Sequence, residues 1–137
     1  MLKNCRIVPQ YIYGSGAVTE LPSLLNPRRE ESGSGVIYIV DEFFEQDPSV
    51  LKLEVGGKDI LIFAEVNAHE PTTPYINTLV EKIRSKYSVL PCAIVGIGGG
   101  SSMDIAKAIS NLLTNGGIAE DYQGWDLVKK PGVYKIG

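Results

Sequence analysis

Short stretches of the chain carry a readable hydrophobic rhythm. Val36-Ile37-Tyr38-Ile39-Val40 is an unbroken run of β-branched and aromatic residues closed by Asp41. A run of that length without a polar position predicts a strand buried on both faces. Residues 59–66 and 92–97 read the same way, around Ile60-Leu61-Ile62-Phe63-Ala64 and Ala93-Ile94-Val95. Between them, residues 75–87 place Ile76, Leu79, Val80, Ile83 and Tyr87 at i, i+3, i+4, i+7 and i+11, the spacing of one helix face. After the third strand, Ile105, Ala108, Ile109, Leu112 and Leu113 mark a second helix. It runs to Thr114 and stops at Asn115-Gly116-Gly117.

The remaining rhythm is weaker. Residues 6–13 read as an extended segment closed by Gly14-Ser15-Gly16. A short helix over 18–25 stops before Pro27, and the charged, Gly/Ser-rich stretch 26–35 reads as a surface loop. A weak helix over 48–53 is broken by Gly56-Gly57, and Pro71 and Pro74 delay the helix of 75–87. Residues 120–137 show no clear periodicity. The order strand, helix, strand, helix, strand, helix predicts an α/β domain with a parallel sheet covered on both faces. In such sheets ligands bind at the carboxyl ends of the strands, near a topological switch.

Composition narrows the chemistry. The chain has 137 residues, 44% hydrophobic and 21% charged, which fits one globular domain. It holds one His, His69, and two Cys, Cys5 and Cys92. A Cys/His zinc site needs about four ligands, and a His-rich centre needs more than one His. The net charge is −3 and no basic stripe is present, so nucleic acid is not an expected partner. The cysteines match no CxxC pattern and suggest no disulfide scaffold, which favours the cytoplasm. Cys92, beside Ala93-Ile94-Val95, reads as a small buried thiol. No signal-peptide core opens the chain, and purely apolar runs of about five residues cannot span a membrane.

The main chemical candidate lies where the third strand gives way to a helix: Gly96-Ile97-Gly98-Gly99-Gly100-Ser101-Ser102-Met103-Asp104-Ile105-Ala106-Lys107. Consecutive glycines let a backbone approach a ligand closely. A helix N-terminus adds free N–H groups and the positive end of the dipole. Together they suit a phosphate or pyrophosphate, with the hydroxyls of Ser101 and Ser102 as further donors. The bland alternative is a tight turn with a capping box, Ser101-x-x-Asp104. The spacing is neither the usual dinucleotide fingerprint, since Ser101 stands at the third glycine position, nor a P-loop.

Asp41 is the second candidate. A carboxylate at that strand end accepts hydrogen bonds from ribose hydroxyls and repels a 2′-phosphate, so it predicts NAD over NADP. The alternative is a helix N-cap. Lys107, three residues after Asp104, is within reach of it on one helix face, where an exposed pair is worth about 0.3–0.5 kcal/mol. Asn67 and His69 lie in a loop past a strand end, where a lone His is more often solvated than functional. Tyr122 and Trp125 are expected to pack or cap the tail.

The segment 98–108 resembles the GGGSxxDxxK signature of the iron-dependent (group III) alcohol dehydrogenases. Gly14-Ser15-Gly16, Val40-Asp41 and residues 66–72 are similar to three further motifs of that family, in the same order. The resemblance implies a Rossmann-like α/β fold: an open, mainly parallel sheet with helices on both faces. It implies that residues 1–137 form the dinucleotide-binding domain. Gly98, Gly99, Gly100, Ser101 and Ser102 would then form the cofactor turn, with the pyrophosphate on Gly99, Gly100 and Ser101. Asp41 would hold the adenosine ribose of NAD, and Asp104 and Lys107 would border the nicotinamide side. Residues 121–126, Asp-Tyr-Gln-Gly-Trp-Asp, resemble a branch acting on 3-deoxy-octulosonate, a sugar acid oxidised at its terminal alcohol.

In that family an Asp and three His from a helical C-terminal domain bind Fe(2+) or Zn(2+). With one His, this sequence is expected to carry the cofactor half only, to lack that domain, and to be inactive alone. Its partners would be NAD and, in the full-length enzyme, a small alcohol or a sugar acid. A surface made for the absent domain would favour a homo-oligomer. Two other readings stay open. One is a free-standing nucleotide- or phosphate-binding module without catalysis. The other is a relative such as dehydroquinate synthase, which shares the Gly-rich turn.

Overall fold

The structure is a computed structural model that describes residues 9–47, 50, 53–66 and 70–137. Three strands form where the apolar runs predict them: β1 (Val36–Asp41), β2 (Ile60–Ala64) and β3 (Ala93–Ile97). They pair in parallel, with Ile37 opposite Ile60 on one side and Ile94 on the other. Two-faced burial explains their composition. Val36 to Val40 are at most 2% exposed, because both faces of β1 are covered.

Helices α2 (Thr73–Lys86) and α3 (Gly100–Asn115) cover one face. Their apolar stripes, Ile76, Leu79, Val80 and Ile83 from α2 and Ile105, Ile109 and Leu112 from α3, pack on Ile37, Ile39, Ile62 and Ile94. Pro74 sits in the first turn of α2 and so starts the helix instead of delaying it. Helix α3 ends at Gly116 (φ 82°), which meets the glycine stop read from the sequence. The other face carries α1 (Leu21–Ser32), whose Leu21 and Leu25 pack on Tyr38, Val40 and Val95.

Helix α1 corrects the expectation of a helix ending before Pro27 and a loop over 26–35. A 3-10 turn (Ala17–Glu20) leads into it, and it runs through Pro27 to a left-handed cap at Gly33 (φ 67°). Tertiary contacts offset the proline's missing donor. Arg29, beyond Pro27, reaches Asp59 with Nη2 at 2.5 Å from Oδ2, and the Arg28 guanidinium stacks 3.3 Å from the centre of the Tyr134 ring.

Asp59 is the hub of the edge where the strands begin. Besides Arg29 it accepts from the backbone N–H groups of Val36 (2.8 Å) and Gly56 (2.7 Å). Arg29 also donates to the Tyr38 hydroxyl (3.0 Å), and the Tyr87 hydroxyl donates to the carbonyl of Lys58. Burial is the main cause that raises the pKa of Tyr38, of the Cys92 thiol, and of Tyr87, which is pushed up to about 12. Cys92 is half-buried here, not enclosed as expected.

The tail yields two elements that no periodicity announced. A 3-10 turn (Ala119–Tyr122) docks on α2 through Asn77, which accepts from the N–H of Ala119 and donates to Glu120. Strand β4 (Lys135–Ile136) adds a fourth parallel strand beside β3. Tyr122 packs against the core as expected, whereas Trp125 stands 94% exposed. The sheet order is β2-β1-β3-β4. Of the extended segment expected over 6–13, residues 6–8 lie outside the described residues. Residues 9–13 form no strand, and Tyr13 is 94% exposed. The helix expected over 48–53 also lies largely outside the described residues.

The fold is α/β and Rossmann-like: a parallel four-stranded sheet with helices on both faces. Among the described residues, no helix is long and apolar enough to cross a membrane.

Candidate functional site

The sheet order creates a switch point between β1 and β3. From β1 the chain steps outward to β2, then returns across β1 to β3 and leaves on the other side toward β4. In open α/β sheets such a switch point offers a ligand crevice at the carboxyl ends of the flanking strands, here β1 and β3. Val40 lies opposite Ile97, so the next residues along, Asp41 and Gly98, are neighbours at those ends.

Gly98 has φ 146°, a conformation that L side chains rarely adopt. A Cβ there would lie 2.7 Å from Ser102 Oγ and 2.8 Å from Asp41 Cβ. The contact therefore brings three of the expected site residues together around one glycine. Gly96, one step back in β3, has a related role. A Cβ on it would meet Ala106 Cβ at 3.1 Å and the Met103 Cα at 3.3 Å, so glycine lets α3 lie close against the strand.

Gly99 and Gly100 face the other way. Both are exposed, and a Cβ on either would meet nothing within 4 Å. Gly99 is the N-cap of α3 and no side chain caps the helix, so Ser101-x-x-Asp104 does not form a capping box. The N–H groups of the first turn lack helical partners by geometry. Ser101 is half-buried in that turn, and Ser102 is fully buried. Among the described residues the Ser102 hydroxyl has no hydrogen-bond partner.

Asp41 Oδ1 accepts from the Phe43 N–H at 3.0 Å, capping a 3-10 turn (Glu42–Phe44). The capping role weighed for it is thus realised. A carboxylate has about four lone pairs, so one such bond leaves acceptor capacity at the crevice. Asp104 and Lys107 form an exposed pair on the same helix, Nζ to Oδ1 2.9 Å, with side chains 66% and 61% exposed. The structure does not bring them against Asp41. Asn67 and His69 lie outside the described residues. Among the described residues, no group of three or more His, Cys, Asp or Glu is placed to hold a metal ion.

The iron-containing alcohol dehydrogenase family model matches residues 9–136. This chain belongs to that family. The similarity extends to individual members. Over 136 residues, 96% of this chain and 34% of the other, it is 30% identical to the NAD-dependent methanol dehydrogenase of Bacillus methanolicus. Over 130 residues it is 29% identical to the sulfoacetaldehyde reductase of Bilophila wadsworthia, covering 92% of this chain and 32% of the other. The chain spans about a third of the length of these relatives. A solved structure, sulfoacetaldehyde reductase from Bifidobacterium kashiwanohense in complex with NAD+, has the same fold. Its TM-score is 0.67 at 21% identity, with 89% of this chain and 31% of that chain covered.

As a family member, the chain has its Gly-rich turn at the strand-to-helix junction that the sequence predicted. What the sequence missed is the packing behind that turn. The burial of Ser102 and the approach of both Ser102 and Asp41 to Gly98 carry no signal in the spacing, because Asp41 lies in a different βα unit.

Proposed function

We propose that residues 1–137 are the dinucleotide-binding domain of an iron-type alcohol dehydrogenase and that NAD is the ligand. The observation that carries this reading is the meeting of Asp41, Gly98 and the N-terminus of α3 at the switch point. The residues present fit the group. The turn is bare over Gly99 and Gly100, where a pyrophosphate would approach, and a helix of sixteen residues directs its dipole there. Ser101 would donate to a phosphate oxygen. Asp41 would accept from the ribose hydroxyls, and its charge would disfavour a 2′-phosphate. Lys107 and Asp104 would flank the nicotinamide side.

NAD bound here would accept hydride from an alcohol. The metal that orients and polarises that alcohol in this family, Fe(2+) or Zn(2+), would be held by a part of the enzyme outside this sequence. The chain alone is therefore expected to bind cofactor without turnover. The family relatives support a small alcohol as substrate. The resemblance of residues 121–126 supports, more narrowly, a sugar-acid primary alcohol. Exposed apolar side chains such as Val89, Leu90 and Trp125 support self-association of the isolated chain. The low cysteine count supports a reducing, cytoplasmic setting.

Calorimetric titration tests the reading. NAD should bind more tightly than NADP, by about tenfold or more for one carboxylate against a phosphate. Asp41→Ala should erase that preference. Equal affinity for the two cofactors in the unmodified chain would sink the ribose role of Asp41. Turnover of an alcohol with added Fe(II) or Zn(II) would sink the half-enzyme reading.

A further inference from the structure

Ser102 is the third residue of α3, 0% exposed, and its Oγ has neither donor nor acceptor partner among the described residues. A buried hydroxyl in that state is costly, since it has given up water and gained nothing. A helical serine commonly turns its hydroxyl onto the carbonyl four residues back. Here that residue is Gly98, whose backbone is turned to φ 146°, and the hydroxyl fills the space a side chain at 98 would need. The atom is closed off from solvent, so a phosphate resting on Gly99 and Gly100 does not touch it. On the far side of Gly98 lies Asp41, whose Cβ crowds the same point. Its carboxylate, whose Oδ1 accepts from the Phe43 N–H, is the group that would receive the ribose.

We infer that Ser102 is a positioning residue for Asp41: its hydroxyl donates to the Asp41 carboxylate when the dinucleotide is bound and fixes that carboxylate toward the ribose. A hydroxyl bonded to an ionised carboxylate makes a short, charge-assisted bond, which gives the orphan atom its partner. The hydroxyl thereby links the two halves of the site, since Ser102 rides on the helix that carries the pyrophosphate and Asp41 ends the neighbouring strand. The inference rests on the dinucleotide reading and adds to it a residue that shapes ribose recognition without contacting the cofactor.

The test compares the full chain with its Ser102→Ala variant, using NAD as the probe of Asp41 and inorganic pyrophosphate as the probe of the turn. Ser102→Ala should weaken NAD binding about fivefold to tenfold, the loss expected for one hydrogen bond. Pyrophosphate affinity should stay within about twofold, and the melting temperature without ligand should be unchanged or higher. In an Asp41→Ala background, which removes the acceptor, the same substitution should have no further effect on NAD. NAD affinity unchanged by Ser102→Ala overturns the inference, as does an equal loss for pyrophosphate, which would mark a role in the turn alone. An unmodified chain that fails to prefer NAD over NADP defeats the reading of the site itself. That outcome is visible before any variant is made, and the inference falls with it.

Discussion

The two edges of the sheet are built on opposite rules. Where the strands begin, polar groups are bound several at a time. Asp59, with its side chain 2% exposed, accepts from Arg29, Val36 and Gly56, and Arg29 reaches Tyr38 as well. Space there is exhausted: a Cβ on Gly35 would land 1.9 Å from the Lys58 carbonyl oxygen. Where the strands end, Gly99 and Gly100 stand open, the first turn of α3 is uncapped, and the Ser102 hydroxyl has no partner among the described residues. One edge holds the domain together, while the other keeps its hydrogen-bonding capacity unspent. A binding site must be left incomplete by its own chain, and that deficit is tolerable when stability is supplied elsewhere.

Two substitutions would break this contrast. Asp59→Ala strikes the closed edge. It leaves Arg29 poorly matched and two backbone N–H groups without acceptors, and should cost about 3–5 kcal/mol. Urea unfolding would measure the loss, and a cost near zero would show that the hub is ornamental. Gly98→Ala strikes the open edge. It forces a side chain into a left-handed backbone against Ser102 and Asp41, and should cost about 2–3 kcal/mol together with NAD binding. Unaltered NAD affinity in that variant would mean the crevice is not the site.

The smallest effect is a pH dependence. Burial raises the Tyr87 pKa to about 12, and Tyr38 shifts in the same direction. A raised pKa means that the folded state favours the protonated phenol. That contribution is fully present below the unfolded value near 10 and is lost as pH rises toward 12. Unfolding free energies measured from pH 9 to pH 12 should fall across that window, and Tyr87→Phe should flatten the slope.

The sequence carried the layers of this molecule clearly and its couplings poorly. Strands β1 to β3 and helices α2 and α3 were readable because each is one uninterrupted period of apolar residues. Helix α1 was read too short, because Pro27 is a local signal and the Arg29–Asp59 pair that overrides it is a distant one. Strand β4 was invisible because two residues cannot display a period. At the site, the glycines and Asp41 were legible one by one. Their meeting was not, since it depends on β1 and β3 lying side by side.

That same adjacency has a consequence for how the chain is made. Strand β1 is paired on both sides by strands downstream of it: β2 at residues 60–64 and β3 at residues 93–97. No hairpin joins any of the three, so every ladder must wait for a long loop to close. During synthesis Val36-Ile37-Tyr38-Ile39-Val40 emerges with both edges bare, an uncharged β-prone segment of the kind that seeds aggregation. The charges that follow within a few residues, Asp41, Glu42 and Glu45, act as gatekeepers while that strand waits.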